Sequence, residues 1–166
     1  MGKGTFIEHT RRPVTFGNVP SEGDMTWIDP NTGLIFNYDT SRGKWLSAAK
    51  HVFEYARKGS AKGMYVPLLG DLDDSDDVYM PAKSSTIVSI FCRSMDGDIS
   101  AEFEVKKNGT MLYEFVYGGS NDRRHINNNL DFDIDLYDKL QVYIKPVGTG
   151  TRNVVCRIET AWRYDI

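Results

Sequence analysis

The sequence predicts an all-β protein, an antiparallel β-sandwich, and three observations lead there. Runs rich in β-branched and aromatic residues recur through residues 48–166 with turn-forming residues between them, the pattern of a sandwich or barrel. Several runs alternate apolar with polar residues, as strands with one buried face do. No window carries a strong helical period.

Taken in order, strands are expected near 51–57, 63–68, 85–93, 99–106, 110–117, 130–135, 139–145 and 153–163. The segment around Ala48-Ala49-Lys50 leaves room for a short helix instead. In one hairpin, Ala101, Phe103 and Val105 alternate with charged residues, and Lys107-Asn108-Gly109 makes the turn. A three-residue loop with Gly109 in the left-handed region would set Val105 opposite Met111, Phe103 opposite Tyr113 and Ala101 opposite Phe115. The other face would then hold Leu112 and Val116, a candidate subunit contact. Leu140, Val142 and Ile144 alternate with polar neighbours, as do Val154, Cys156 and Ile158. One strand is apolar on both faces, Ile87 and Phe91 opposing Val88, Ile90 and Cys92. A sandwich strand with one wet face does not read this way, so a neighbouring subunit, the arm or the hairpin described next is expected to cover it.

Two segments precede the sandwich domain, 48–166. Residues 1–22 form an arm interrupted by Gly2, Gly4, Pro13, Gly17 and Pro20, with apolar content that includes Phe6 and Phe16. Residues 23–47 form a hairpin: Met25–Ile28, the turn Asp29-Pro30-Asn31-Thr32-Gly33, Leu34–Tyr38, a second turn Asp39–Gly43, then Lys44-Trp45-Leu46. Proline presets the turn dihedral and glycine supplies a positive φ. Trp27, Phe36, Tyr38 and Trp45 suffice for a small aromatic core.

Gly23-Asp24-Met25-Thr26-Trp27, Asp29-Pro30-Asn31-Thr32-Gly33 through Asp39, and Lys44-Trp45-Leu46 together resemble a short element of phage tail-fibre and virion proteins. The order of the later strands, from Gly63-Met64-Tyr65-Val66-Pro67 through Thr86–Ile90, Phe103–Gly109 and Tyr137–Tyr143 to Trp162-Arg163, resembles the C-terminal jelly-roll domains of such proteins. Their general shape is similar to the C1q and tumour-necrosis-factor fold. That family typically has glycine before the aspartate that opens the late strand, where this chain has Tyr137. The resemblance implies a jelly-roll sandwich and, by analogy, a homotrimer joined to other virion proteins. It implies localisation to a virion assembled in the host cytoplasm.

Composition excludes other classes. The chain has 166 residues, 26% of them charged, and a net charge of -3. It has no basic surplus of the kind that binds nucleic acid. No stretch is long and apolar enough for membrane insertion, and no secretory leader is expected from the polar first residues. Cys92 and Cys156 fall in buried strands and read as small core hydrophobes; a disulfide requires those strands to be neighbours. His9, His51 and His125 are scattered rather than at metal spacing. The run Asp71–Asp77 lacks the glycine and glutamate of an EF-hand and reads as a solvated loop, with another kind of cation site left open. Asp131, Asp133 and Asp135 alternate along one strand face without basic neighbours, which suits a charged, solvent-facing edge. No nucleophile elbow, phosphate loop or dinucleotide fingerprint is present.

The expectation is therefore a non-enzymatic virion subunit without a cofactor: a short fibre, collar or head-decoration protein that assembles as an oligomer. Candidate assembly residues are Phe6, Phe16, Trp27, Phe36, Trp45, Ile87 and Phe91. The alternative is a receptor-binding adhesin for a host cell-surface glycan. Its candidate contacts are Asn121, Asp122, Arg123, Arg124, His125 and Asn127, on the long polar connection 118–129.

Overall fold

The structure, a computed structural model, describes residues 14–16, 26–68, 79–97, 101–117, 123–146 and 151–164. Among them every regular element is a strand. Short strands come first: β1 (Val14–Phe16), β2 (Thr26–Ile28) and β3 (Ile35–Asp39). The long β4 (Lys44–Ala61) follows, then β5 (Met64–Val66) and β6 (Ser85–Gly97). Next are β7 (Glu102–Lys107), β8 (Thr110–Val116), β9 (Arg124–Asn127) and β10 (Phe132–Ile134). The chain closes with β11 (Leu140–Ile144) and β12 (Thr151–Tyr164).

Two sheets result. The larger runs β1-β2-β3-β4-β12-β6-β10, with β9 also on β6; the smaller runs β5-β11-β7-β8. Within the sandwich the antiparallel pairs are nested: β4 with β12, β5 with β11, β6 with β9 and β10, and β7 with β8. The core lies between the sheets and follows the alternation. Leu140, Val142 and Ile144 of β11, Phe103 and Val105 of β7, and Val154, Cys156 and Ile158 of β12 are buried. Tyr55 crosses this core and donates its hydroxyl to the Leu140 carbonyl at 2.8 Å, which satisfies its polar end in a dry interior.

The segment with room for a helix is strand. β4 runs unbroken through Ala48-Ala49-Lys50, so the expected boundary between 47 and 48 falls inside it. Hairpin and sandwich thus share one sheet. The hairpin keeps its own aromatic cluster, Trp27, Phe36 and Trp45, closed by Tyr164 and Trp162 of the last strand. The Trp27 and Tyr164 rings meet edge to face at 4.6 Å. Gly33 (φ 71°) closes the first turn, where the Asp29 carboxylate accepts from Asn31 N at 3.0 Å and from the Thr32 hydroxyl.

Three sequence expectations are corrected. The β7–β8 loop has two residues, with Asn108 (φ 52°) and Gly109 (φ 79°) both left-handed, as a type I′ turn requires. A bulge at Leu112 then shifts the register, so Val105 faces Tyr113 and Phe103 faces Phe115. Leu112 packs against the main core rather than standing ready for a subunit. Second, a bulge in β6 explains its two apolar faces: Ser89 pairs with Glu159 but Ile87 pairs with Thr160. Val88 is the extra residue. Ile87, Ile90 and Cys92 all enter the sandwich core, while Val88 turns outward beneath Leu46 and Ala161. The hairpin segment supplies the cover through Leu46. Third, Cys92 lies opposite Cys156 on neighbouring strands, Cα atoms 4.1 Å apart, and the two form a disulfide.

Candidate binding cleft and outer sheet face

Hairpin and sandwich meet in an open cleft of about 420 Å³ on the outer face of the large sheet. Its floor is the buried trio Leu46, Val88 and Ala161. Asn37, Thr40, Arg42, Ala48, Lys50 and Asn128 are among the residues around it. The β3–β4 turn forms one wall and is tightly held. Asp39 accepts from Ser41 N at 3.0 Å and Arg42 N at 3.2 Å, and pairs with the Arg42 guanidinium. Burial pushes the Asp39 carboxyl up, but the hydrogen bonds from Ser41 and Arg42 outweigh it and hold the group below its usual value. Arg42 Nε also donates to the Leu130 carbonyl at 2.7 Å, which ties the turn to the β9–β10 connection. Across the cleft, Lys50 pairs with Glu159 at 3.0 Å. The Asn37 carboxamide oxygen accepts from Thr26 Oγ1 at 2.9 Å, and that of Asn128 from Ser89 Oγ at 3.0 Å.

Beside the cleft lies an ionic cluster. β10 is an edge strand and the flanking Asp131 and Asp135 are exposed, as a charged edge requires, but the three carboxylates also have cationic partners that the sequence did not show. Lys44 reaches Asp131 at 2.7 Å and Asp133 at 2.9 Å; Arg163 reaches Asp133 at 2.9 Å and Asp135 at 2.6 Å. Thr86 Oγ1 donates to Asp133 at 2.7 Å. Burial raises the Asp133 carboxyl, yet its bonds from Lys44, Thr86 and Arg163 bring it below the ordinary value. Sequence could not show these partners, because they come from the two long strands far away in the chain. The cluster braces the hairpin against the sandwich.

The polar connection is less open than expected. Asn121 and Asp122 lie outside the described residues, as does Asp71–Asp77. Arg124–Asn127 is strand β9 on β6, and Arg123 accepts at its carbonyl from Ser94 N at 3.0 Å. His125 and Asn127 are half-buried and turn toward β8. The His125 ring stacks on Phe115 at 4.4 Å and its Nε2 lies 3.0 Å from Tyr113 Oη, to which Asn127 Nδ2 donates at 3.1 Å. Burial lowers the His125 pKa. Arg124 and Ile126 face outward.

Of the candidate assembly residues, Phe6 lies outside the described residues, and Phe16 belongs to β1, parallel to β2. Trp27, Phe36, Trp45 and Ile87 are buried within their own chain, so they form its cores rather than a contact surface. Phe91 is half-buried on the outer face, opposite Ile126 of β9 and Arg157 of β12. The same face shows Val52 (56% exposed), Ile126 (56%) and Met95 (64%). Arg93 and Arg124 stand on its β6 and β9 side, and the ion pairs Glu54–Arg157 and Glu159–Lys50 on its β4 and β12 side. Among the described residues no cluster of three or more His, Cys, Asp or Glu is placed to hold a metal ion. The sequence reading missed the cleft. Its residues come from turns and strands distant in the chain, and only Asn128, at the end of the polar connection, carried a local signal.

No protein-family model matches the sequence, and no curated protein matches it.

Proposed function

We propose that this chain is a non-enzymatic structural subunit of a phage virion, a jelly-roll fibre, collar or decoration protein that works as a homotrimer. The observation that carries the reading is the outer face of the large sheet, where Val52, Phe91, Met95 and Ile126 stand among arginines. A monomer that left such a face bare would risk nonspecific association, and aromatic residues, methionine and arginine are the types enriched at protein contacts. The occupant we assign is a second copy of the chain. On β4 and β12 the acidic residues Glu54 and Glu159 are paired within the chain by Arg157 and Lys50, so the exposed apolar residues, rather than opposite charges, are what a second copy would cover. The nested strand pairing supports the jelly-roll reading, since that fold is one long hairpin wound into two sheets. The resemblance of the hairpin element supports the virion reading.

Sedimentation of purified protein tests the assembly. The expected mass is three times the 18.8 kDa chain. Ile126→Glu, at an exposed position, is expected to give a folded monomer. A wild-type monomer at high concentration contradicts the proposal.

A further inference from the structure

We infer that the cleft between the hairpin and the outer face of the large sheet binds a neutral saccharide unit. The inference goes beyond assembly, because one copy of the chain supplies every residue of the cleft described here. Its volume of about 420 Å³ suits a small ligand, within the ~300–1,000 Å³ common for such sites. Its chemistry narrows the class. Leu46, Val88 and Ala161, each less than a tenth exposed, give a small apolar floor against which the C–H face of a pyranose ring can lie without losing hydrogen bonds. Asn37 and Asn128 stand at the rim with their carboxamide oxygens already engaged by Thr26 and Ser89. Each amide NH2 group is then the donor that meets a sugar hydroxyl. The cationic groups are compensated, Arg42 by Asp39 and Lys50 by Glu159. A phosphate or carboxylate ligand would compete with Asp39 and Glu159 for these cations, whereas a neutral polyol adds to the pairs. The wall is fixed in advance by the Arg42 bond to the Leu130 carbonyl, which lowers the ordering cost of binding.

The test is a titration of isotopically labelled full-length protein, read by backbone amide shifts. The probes are glucose, galactose, mannose, N-acetylglucosamine and N-acetylgalactosamine, with inorganic phosphate as the anionic comparison. At least one neutral sugar is expected to give saturable shifts centred on Asn37, Lys50, Val88 and Asn128. Asn128→Ala is expected to weaken that binding at least fivefold. Ala48→Trp, at an exposed position on the rim, is expected to abolish it by filling the cleft. The inference is overturned if no sugar gives saturable shifts, if the shifts lie elsewhere, if both variants bind as the wild type does, or if phosphate alone binds. Sedimentation reads assembly separately, so failure of either proposal is distinguishable from failure of the other.

Discussion

Tyr137 sits at φ 70° and is 75% exposed, in the turn before β11. A left-handed conformation costs an L-residue about 1–2 kcal/mol, and glycine escapes that cost. The glycine expected here by resemblance therefore has a physical reason, and this chain keeps the backbone shape with a tyrosine. Tyr137→Gly is expected to raise stability by about 1 kcal/mol in chemical denaturation, because little packing is lost; a destabilised variant would contradict this reading of the turn. The two cysteines make a second case. Their burial was legible from the strands around them, but not their adjacency, which depends on β6 and β12 pairing in register. The bridge closes a separation of 64 residues. Chain-entropy arguments assign such a loop about 4 kcal/mol, within the ~2–5 typical of native bridges. Cys92→Ala with Cys156→Ala is expected to cost an amount in that range. Intact mass under non-reducing conditions should be two hydrogens below the reduced value, and two titratable thiols in fresh protein would refute the bridge.

Among the elements, the β7–β8 hairpin shows what alternation reveals and what it hides. Asn108-Gly109 announced a turn, and Phe103, Val105 and Phe115 announced the buried face. The bulge at Leu112 left no local sign, since it depends on packing against the rest of the core. β9 was hidden for a similar reason: its polar residues satisfy one another across the sheets through Tyr113. This gives β9 a pH dependence. Burial holds the folded His125 below its ordinary 6.5, so the unfolded chain takes up the proton first as pH falls. The stability from neutral His125 is full above pH 6.5 and is lost as pH falls toward the folded value. His125→Gln is expected to flatten the stability curve below pH 6.5; an unchanged slope would contradict it. Asp133 acts lower on the scale. Its folded pKa lies below 3.8, so its contribution is full above that pH and is lost as pH falls through the folded value. The Asp133 side chain is 38% exposed, and solvent screening reduces what its ion pairs contribute. Asp133→Asn is expected to cost about 1 kcal/mol at neutral pH, the scale of a modest hydrogen-bond loss, and to soften acid unfolding.

For the whole molecule, sheet class and most strands were legible because a buried face imposes a period of two on the sequence. The organisation was less so. An arm, a hairpin and a domain read as three segments, yet β4 carries the hairpin directly into the sandwich and the final strand returns to close both cores. The proposed assembly surface also differs from the residues nominated by sequence. Of the aromatic residues that sequence nominated for contact, Trp27, Phe36 and Trp45 became cores, while Phe91 stayed on the outer face with Ile126, Val52 and Met95. The β6–β9 pairing sets Phe91 opposite Ile126, a neighbourhood neither strand shows alone, while Val52 lies across β12 from them. The central claim, that this face and fold serve a virion, is tested most directly by electron microscopy of purified intact phage particles labelled with an antibody against this chain. The account predicts label at a fixed, symmetry-related position on the particles. Protein present in infected cells but absent from purified particles would contradict it.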